Sequence, residues 1–358
     1  MKPLAILVAG HDWGGLNVLA PLLRAWGDDP RFAVDFIGTP VVRRDLSSLV
    51  PGLRFAPASE RLTDWVAHRE PELDALLRDL LNHRRYDVVV CSTSAHSILE
   101  RHLFAAARAA LVPSIAFCDM WWAYAERFYD GTRWMLPDRL WVIDDAMRAA
   151  ASEIEWPHPL PVDIVGSPLF ADLMRRRSER GDRAGRAVRF VSEPVSIKFP
   201  EARIDEFALA EVLVNAVHDA GLDMPVVIRP HPVDSAEAWR RWCFARRHLN
   251  VEYDTLPLSE AIADSRFAVG ISSILLTEMR MCGVPAAALQ PRDADKSYYC
   301  LPFDELGIAL LPEQSDLIAW FKASHGSVPP ASAKHSSAIE TATELLLAMT
   351  KHSTQVTA

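Results

Sequence analysis

The stretch RFAVGISSILLTEMRMCGVPAAAL, residues 266–289, predicts a strand, a helix and a second strand in succession. RFAVGI (266–271) and PAAAL (285–289) are short apolar runs, typical of strands that are covered on both faces. A helical pattern fills the interval between them and ends at Gly283, just before Pro285 begins the next strand. A strand–helix–strand unit of this kind indicates a parallel sheet with crossover helices.

The rest of the chain repeats this alternation in two halves. Apolar strand-like runs of the first half lie at 4–9, 33–38, 87–92, 113–118 and 139–144, and those of the second half at 188–193, 225–230, 250–253, 266–271 and 285–289. Helix-length segments separate most of them. We therefore predict an α/β protein with two doubly wound Rossmann-like domains that face each other across a cleft, where a ligand would bind.

A polar, arginine- and glycine-rich stretch predicts the boundary between these domains. RRRSERGDRAGRA (175–187) is interpreted as the linker. The predicted organisation is an N-terminal domain at 1–174, the linker at 175–187, a C-terminal domain at 188–330, and a last helix with a polar tail at 331–358.

Composition excludes several broad classes of function. The 358 residues are 50% hydrophobic and 24% charged, with a net charge of −9, which argues against broad nucleic-acid binding and against an electrostatic grip on anionic membrane. The five scattered cysteines form no CxxC pair and indicate reduced thiols. The N-terminal apolar run is interpreted as a first strand, and no transmembrane segment is expected, so the predicted location is cytoplasmic. No pattern indicates an oligomeric state.

The segment GISSILLTEMRMCGVP (270–285) predicts an anion site. Ser272 and Ser273 stand where a helix begins, so free backbone N–H groups, the helix dipole and two hydroxyls meet there. Glu278 follows within the helix, where a carboxylate can accept hydrogen bonds from a ribose diol. The alternative is an ordinary serine cap, a solvent-facing glutamate and a glycine that ends the helix.

The strand at 226–228 ends in Arg-Pro-His-Pro, which predicts a fixed cationic group at the same edge of the sheet. Arg229 offers a bidentate guanidinium and His231 one or two N–H donors. Pro230 and Pro232 restrict the loop, so the imidazole has its direction before a ligand arrives. This combination suits a phosphate; the alternative is a loop histidine that caps a carbonyl.

The turn FVSEP (190–194) follows the first strand of the second domain. Ser192 and Glu193 are candidates for contact with a donor, and Lys198 could add positive charge. A turn with a capping serine is the competing interpretation.

The spacing of Gly-x-Ser-Ser, Glu278 and Gly283-x-Pro285 resembles the nucleotide-sugar site of GT-B glycosyltransferases and of the non-hydrolysing nucleotide-sugar 2-epimerases that share their fold. The resemblance implies that Glu278 holds the ribose, with Ser272 and Ser273 near the phosphates. RPHP is similar to the His-Pro motif of bacterial capsule-type transferases, among them polysialyltransferases, Kdo transferases and CDP-glycerol glycerophosphotransferases. That similarity implies polysaccharide biosynthesis with a CMP- or CDP-linked donor.

AGHDWGGLN (9–17) follows the first strand and resembles the glycine loop of GT-B enzymes and of the lipid A disaccharide synthase group. The resemblance places this loop on the acceptor side, with Gly14 and Gly15 allowing close approach. His11 or Asp12 could remove a proton from an acceptor hydroxyl, although Leu16 and Asn17 stand where relatives carry a histidine. A helix cap is the alternative for Asp12.

CDMWWAYAERFYDG (118–131) places aromatic and charged residues at a strand end. Asp119 and Glu126 are alternative catalytic carboxylates. The predicted acceptor contacts are Trp121, Trp122, Tyr124 and Arg127, since aromatic faces suit sugar rings. The pattern is similar to one in bacterial polysaccharide-biosynthesis proteins; the alternative is a satellite core beneath a loop. Nearby, Ser94 and His96 are better explained by a helix cap.

The function that the sequence predicts is transfer of a sugar from a nucleotide-activated donor to a hydroxyl acceptor. Inversion at the anomeric carbon is what the family implies, and neither a metal nor a cofactor is expected. Two alternatives stay open at this point: a nucleotide-sugar epimerase or hydrolase of the same fold, and a non-catalytic nucleotide-binding protein.

Overall fold

A computed structural model describes residues 2–83, 86–180, 185–198, 200–292, 303–324 and 335–356. The chain forms two compact units: Met1–Asp172 together with Lys334–Ala358, and Leu173–Ala333. None of the helices in the described ranges is long and apolar enough to cross a membrane.

The first unit is built on a six-stranded parallel sheet in the order β2-β1-β3-β4-β5-β6. Its strands are β1 Leu4–Ala9, β2 Phe32–Ile37, β3 Val88–Ser92, β4 Ser114–Phe117, β5 Arg139–Val142 and β6 Val162–Ile164. Its helices are α1 Trp13–Asp28, α2 Pro40–Leu49, α3 Glu70–His83, α4 Leu99–Ala109, α5 Asp145–Ser152 and α6 Pro168–Arg180, and the division between the units falls within α6.

The second unit has a six-stranded parallel sheet in the order β12-β11-β10-β7-β8-β9. Its strands are β7 Ala187–Val191, β8 Val226–Arg229, β9 Val251–Tyr253, β10 Ser265–Gly270, β11 Ala286–Leu289 and β12 Ala309–Leu311. Its helices are α7 Val195–Lys198, α8 Glu206–Asp219, α9 Ala236–Ala245, α10 Leu258–Asp264, α11 Ile274–Met281, α12 Phe303–Leu306 and α13 Gln314–Ser324.

The last helix, α14 (Ala338–Val356), belongs to the first unit. The indole Nε1 of Trp26 in α1 donates to Thr343 Oγ1 at 2.9 Å. The backbone N–H of Ser167 donates to His335 Nδ1 at 3.3 Å, just before α14 begins. The chain therefore returns to its first unit after completing the second.

The predicted α/β class with two doubly wound sheets is confirmed, and each sheet has one point where the strand order reverses. In the first sheet the reversal lies between β1 and β3, and in the second between β7 and β10. Open α/β sheets bind ligands outside the carboxyl ends of the strands at such a point, because the loops there diverge to opposite faces.

Several elements differ from the sequence-based expectation, and helices α5 and α13 are among those that it did not include. The edge strands β6 and β12 were not expected, because their residues are only partly buried and form no long apolar run. Helix α2 was not expected either, and α6 continues to Arg180, into the stretch interpreted as linker. Arginine is a good helix former, so a polar composition does not by itself end a helix.

Candidate functional site

The loops after β7 and β10 meet at the reversal point of the second sheet. Val191 and Gly270, the last residues of these strands, pair in register, so Ser192–Glu193 and Ser272–Ser273 emerge side by side. The hydroxyl of Ser272 donates to Glu193 Oε2 at 2.5 Å. Gly270 is required here, since a Cβ would lie 2.8 Å from the carbonyl oxygen of Val191. The structure thus brings four predicted donor-site residues together.

Ser273 is the cap residue of α11, and its hydroxyl accepts from the backbone N–H of Leu275 at 3.3 Å. Its capping role, one of the alternatives from the sequence, is present in the structure. Ser272 is 4% exposed and lies one residue before the cap. The start of α11 therefore combines helix N–H groups with a serine pair, an arrangement that favours an anion.

Glu278, in the second turn of α11, is 7% exposed. Burial raises the pKa of its carboxyl group to about 7, although the positive charge of Arg229 acts in the opposite direction. Oε2 is buried and has no hydrogen-bond partner within the described part of the chain. A buried hydrogen-bond acceptor without a partner lowers the stability of the folded protein. Such groups mark positions where a ligand can supply the missing donor.

Arg229 ends β8 beside these loops, since Val191 pairs with it in register. Its Nη1 donates to Asp254 Oδ2 at 2.8 Å and to the carbonyl oxygen of Leu256 at 3.0 Å. Asp254 also contacts Nη1 of the fully buried Arg189 at 2.7 Å. Arg189 is in turn paired with Asp264 at 3.0 Å, so Asp254 links two guanidinium groups and holds Arg229 in position.

The loop that carries His231 is fixed by Asp234. One oxygen of Asp234 accepts from Ser192 Oγ at 2.7 Å, from the backbone N–H of His231 at 2.9 Å and from Trp239 Nε1 at 3.2 Å. The backbone N–H of Val233 donates to His231 Nδ1 at 3.3 Å. Because Nδ1 accepts, the neutral imidazole carries its proton on Nε2, which becomes the donor toward a ligand. Asp234 was not identified from the sequence.

Lys198 lies in the short helix α7, and its side chain is outside what the structure describes.

The glycine loop after β1 packs on residues that end β3 and β4 in the first unit. A Cβ on Gly15 would lie 2.5 Å from the Cβ of Ser92, and one on Gly14 would lie 2.8 Å from Asp119 Oδ2. Ala9 and Cys91 pair in register at the reversal point of this sheet. The two glycines therefore bring the start of α1 against Ser92 and Asp119.

Three carboxylates surround this loop. Asp12 precedes α1, yet its side chain makes no capping hydrogen bond. Glu100, in the first turn of α4, is 1% exposed, and its Oε1 accepts from the backbone N–H of His11 at 2.8 Å. Burial raises the pKa of Glu100, and the negative charge of Asp12 raises it further. His11 Nδ1, Ser92 Oγ and Glu100 Oε2 are buried without a partner in the described ranges.

The sequence does not single out Glu100, because a glutamate in the first turn of a helix is usually a solvated residue that complements the helix dipole. The signal that could have found it is positional. It begins the helix after β3, the strand next to β1, and so faces the glycine loop.

The third carboxylate, Asp119, is buried at 9% exposure and pairs with Arg127 at 3.3 Å. Burial raises the pKa of Asp119, while Arg127 acts to lower it. Arg127 Nη1 also donates to Thr93 Oγ1 at 2.7 Å, and its Nε donates to the carbonyl oxygen of Trp122 at 3.3 Å. Arg127 therefore fixes the geometry of this loop, whereas Glu126 is exposed.

The aromatic residues of the same loop divide into two groups. Trp121 and Tyr124 are buried, and Trp121 Nε1 donates to Asp144 Oδ2 at 2.9 Å. Trp122 is 41% exposed, so of these three side chains it is the one that presents a ring face to a ligand. Ser94 Oγ accepts from the backbone N–H groups of His96 and Ser97 and so closes the turn before α4, whereas the cap residue of that helix is Ile98, not Ser94 as the sequence favoured.

No protein-family model matches the chain, and no curated protein sequence matches it. Solved structures do match over nearly its whole length. UDP-GlcNAc 2-epimerase from Methanocaldococcus jannaschii is 10% identical with a TM-score of 0.71, covering 96% of this chain and 99% of that one. The enzyme from Neisseria meningitidis, determined with UDP-GlcNAc bound, is 12% identical with a TM-score of 0.69, covering 96% and 100%.

MurG from Acinetobacter baumannii is 13% identical with a TM-score of 0.51, covering 94% of this chain and 95% of that one. The structural match establishes the fold, whereas sequence identities this low leave the reaction open. The predicted GT-B class is confirmed: the chain has the fold shared by nucleotide-sugar epimerases and GT-B glycosyltransferases.

Proposed function

We propose that the protein is a glycosyltransferase that binds a nucleotide-activated sugar at the carboxyl edge of its second sheet. The observation that carries this proposal is the buried Oε2 of Glu278, which has no partner among the described residues and lies on the helix whose start carries Ser272 and Ser273. A ribose diol supplies two donors to such a carboxylate. The N–H groups at the helix start and the Nε2–H of His231 then donate hydrogen bonds to phosphate oxygens.

The resemblance of Arg-Pro-His-Pro to capsule-type transferases favours a cytidine nucleotide as the activating group. In the proposed reaction the acceptor hydroxyl oxygen forms a bond to the anomeric carbon, and the bond from that carbon to the phosphate oxygen breaks. The hydroxyl proton passes to Asp12, and the nucleotide leaves with the negative charge. Attack from the side opposite the leaving group inverts the anomeric centre.

Asp12 is assigned as the base because its carboxylate is not used to cap α1. Glu100 is assigned as a positioning residue, since its Oε1 holds the backbone of His11 next to Asp12. Asp119 is already paired with Arg127, which makes it the weaker candidate for taking a proton.

A second candidate is a nucleotide-sugar epimerase, which one observation favours. Asp12, Glu100 and Asp119 gather at one loop, and burial raises the pKa of the latter two, so groups able to give and to take protons lie close together. Epimerisation next to the anomeric carbon needs both kinds of group. Two solved structures with this fold are named as such epimerases.

The first experiment measures nucleotide binding by calorimetry with UDP, CDP, CMP, GDP and dTDP. His231→Ala and Glu278→Ala should each weaken binding of the preferred nucleotide by roughly 10- to 100-fold, since each removes a hydrogen bond to or from a charged group. Glu260→Ala, an exposed glutamate of α10, is the matched control and should bind as the wild type does. Unchanged binding in both site variants would place the donor site elsewhere.

The second experiment separates the two reactions. The protein is incubated with the sugar nucleotides of the preferred base, with and without a panel of hydroxyl acceptors, and products are followed by NMR. A transferase releases nucleotide in proportion to glycosylated acceptor. An epimerase converts the sugar without any acceptor, which would overturn the transfer proposal while leaving the nucleotide site intact.

A further inference from the structure

Helix α9 and the turn that follows it carry a local excess of positive charge. Residues 236–249 contain four arginines and one glutamate, whereas the whole chain has a net charge of −9. A basic segment on an acidic protein produces a field of its own, because charges beyond about 10 Å are largely screened at physiological salt.

One face of α9 packs in the core of the second unit, and another face is exposed to solvent. Trp239 and Cys243 are 2% and 4% exposed and belong to the core of the second unit. Phe244, on the opposite side, is 67% exposed, and Leu249 in the following turn is 39% exposed. Burial of an exposed phenylalanine against a binding partner would be favourable, so Phe244 is a candidate contact residue for such a partner.

The arginines of this face differ in their partners. Arg246 pairs with Glu211 at 2.5 Å, and Arg241 pairs with Glu237 at 2.9 Å. Arg247 lies over the ring of Phe244 at 4.2 Å, and Arg240 lies over the ring of Tyr253 at 5.0 Å.

Within the described residues, neither Arg240 nor Arg247 lies in ion-pairing distance of a carboxylate. Both are exposed. Two guanidinium groups without a carboxylate partner in the described chain thus stand beside aromatic rings, of which Tyr253 is half-buried and Phe244 is exposed.

We propose that this face, defined by Arg240, Phe244, Arg247 and Leu249, docks the protein on an anionic lipid surface. Arg240 and Arg247 bind phosphate oxygens of the headgroups, and Phe244 and Leu249 enter the boundary between headgroups and acyl chains. A basic face with an aromatic apolar residue is the combination that holds interfacial helices on membranes. A soluble polyanion would be bound by the arginines alone and gives Phe244 no role.

The test is co-sedimentation with vesicles of phosphatidylglycerol and phosphatidylcholine, compared with vesicles of phosphatidylcholine alone. The wild type should bind the anionic vesicles selectively and release as salt is raised. Arg240→Gln and Arg247→Gln should each weaken binding by about five-fold, the equivalent of one basic residue near an anionic surface. Phe244→Ser should weaken binding at both low and high salt, because its contribution is not screened.

The control is an arginine–aromatic pair of the first unit whose arginine is neutralised: Arg69 lies 4.4 Å over the ring of Trp65, which is 58% exposed, and pairs with Glu72 at 3.0 Å. Arg69→Gln and Trp65→Ser should leave vesicle binding unchanged, and melting temperatures verify that every variant is folded. Lack of selective binding by the wild type overturns the proposal. Equal loss in the control pair also overturns it. If the arginine variants lose binding while Phe244→Ser does not, the face binds polyanions in general and the lipid assignment fails.

Discussion

At the scale of single residues, two carboxylates hold the other groups of the candidate donor site in place. Asp234 fixes the His231 loop with three hydrogen bonds, and Asp254 holds both Arg229 and the buried Arg189. Preorganised groups of this kind lose little entropy when a ligand arrives, so they suit a binding site. Glu278 differs from them because one of its oxygens has no partner in the described chain.

The raised pKa of Glu278 predicts a specific pH dependence of stability. Its pKa is about 7 in the folded protein, against a usual value of 4.5, so the folded state binds this proton more tightly than the unfolded chain does. Stability should therefore fall as the pH rises from about 4.5 to about 7, by about 3 kcal/mol in total, and stay lower above that window. Glu278→Gln should remove this contribution.

Denaturation by urea at pH 5 and pH 8 measures the contribution of Glu278 to the free energy of unfolding. The wild type and Glu278→Gln should be similar at pH 5, and the variant should be more stable at pH 8. Glu260→Gln, at an exposed site, should follow the wild type at both pH values. If the free energies of unfolding of the wild type and Glu278→Gln differ by the same amount at both pH values, the carboxyl group titrates normally.

Among the substitutions considered, we expect Asp12→Asn to reduce turnover the most. Asp12→Asn keeps the shape of the side chain but cannot take a proton, so kcat should fall by about 10² to 10⁴ while nucleotide binding is retained. Asp119→Asn and Glu126→Gln are the rivals and should be compared under the same conditions. Near-normal turnover of Asp12→Asn together with an inactive Asp119→Asn would move the base to the loop after β4.

At the scale of elements, the start of α1 shows how one helix is placed against two strand ends. Gly15 is helical, and a Cβ there would lie 2.5 Å from Ser92 Cβ and 2.7 Å from Ser92 Oγ. For Gly27, in the last turn of the same helix, no atom of the described residues lies within 4 Å of the corresponding position. Close packing therefore requires a glycine at position 15, whereas a side chain has room at position 27.

Substituting each glycine by alanine should give opposite signs. Alanine favours a helix by about 1 kcal/mol over glycine, so Gly27→Ala should stabilise the protein by roughly 0.5–1 kcal/mol. Gly15→Ala should destabilise it by about 1–3 kcal/mol, because the clash with Ser92 outweighs that gain. The free energy of unfolding checks both, and Ser92→Gly should rescue Gly15→Ala. If Gly15→Ala is as stable as Gly27→Ala, the loop does not pack on Ser92.

The elements that could be predicted are those whose environment the sequence encodes locally. Central strands such as β1 and β10 are mostly buried and are visible in the sequence as apolar runs, and the positions of His231 and Ser272 follow from the strands that precede them. The edge strand β12 is partly exposed and has no such pattern. Asp234 and Glu100 could not be assigned because their roles depend on groups distant in the chain, Ser192 and the His11 backbone.

At the scale of the whole molecule, the chain leaves its first unit within α6 and returns to it with α14. The last helix buries Ala338, Ala342 and Leu346 completely. Its contact with α1 includes the hydrogen bond from Trp26 to Thr343. Helix α14 is thus part of the unit that carries Asp12 and Glu100, although more than 150 residues of the second unit intervene in the sequence.

Because α14 packs in the first unit, we predict that a destabilising substitution in α14 lowers the stability of the first unit selectively. Leu346→Ala removes a fully buried side chain from α14 and should destabilise that unit by about 2–5 kcal/mol. Hydrogen exchange followed by mass spectrometry should show faster exchange in β1 and α1, while β7, β8 and nucleotide binding are unchanged. Glu344→Ala, an exposed position on the same helix, should exchange as the wild type does. Faster exchange in β7 and β8 would instead mean that α14 stabilises the second unit, because local opening is confined to the elements that lose packing.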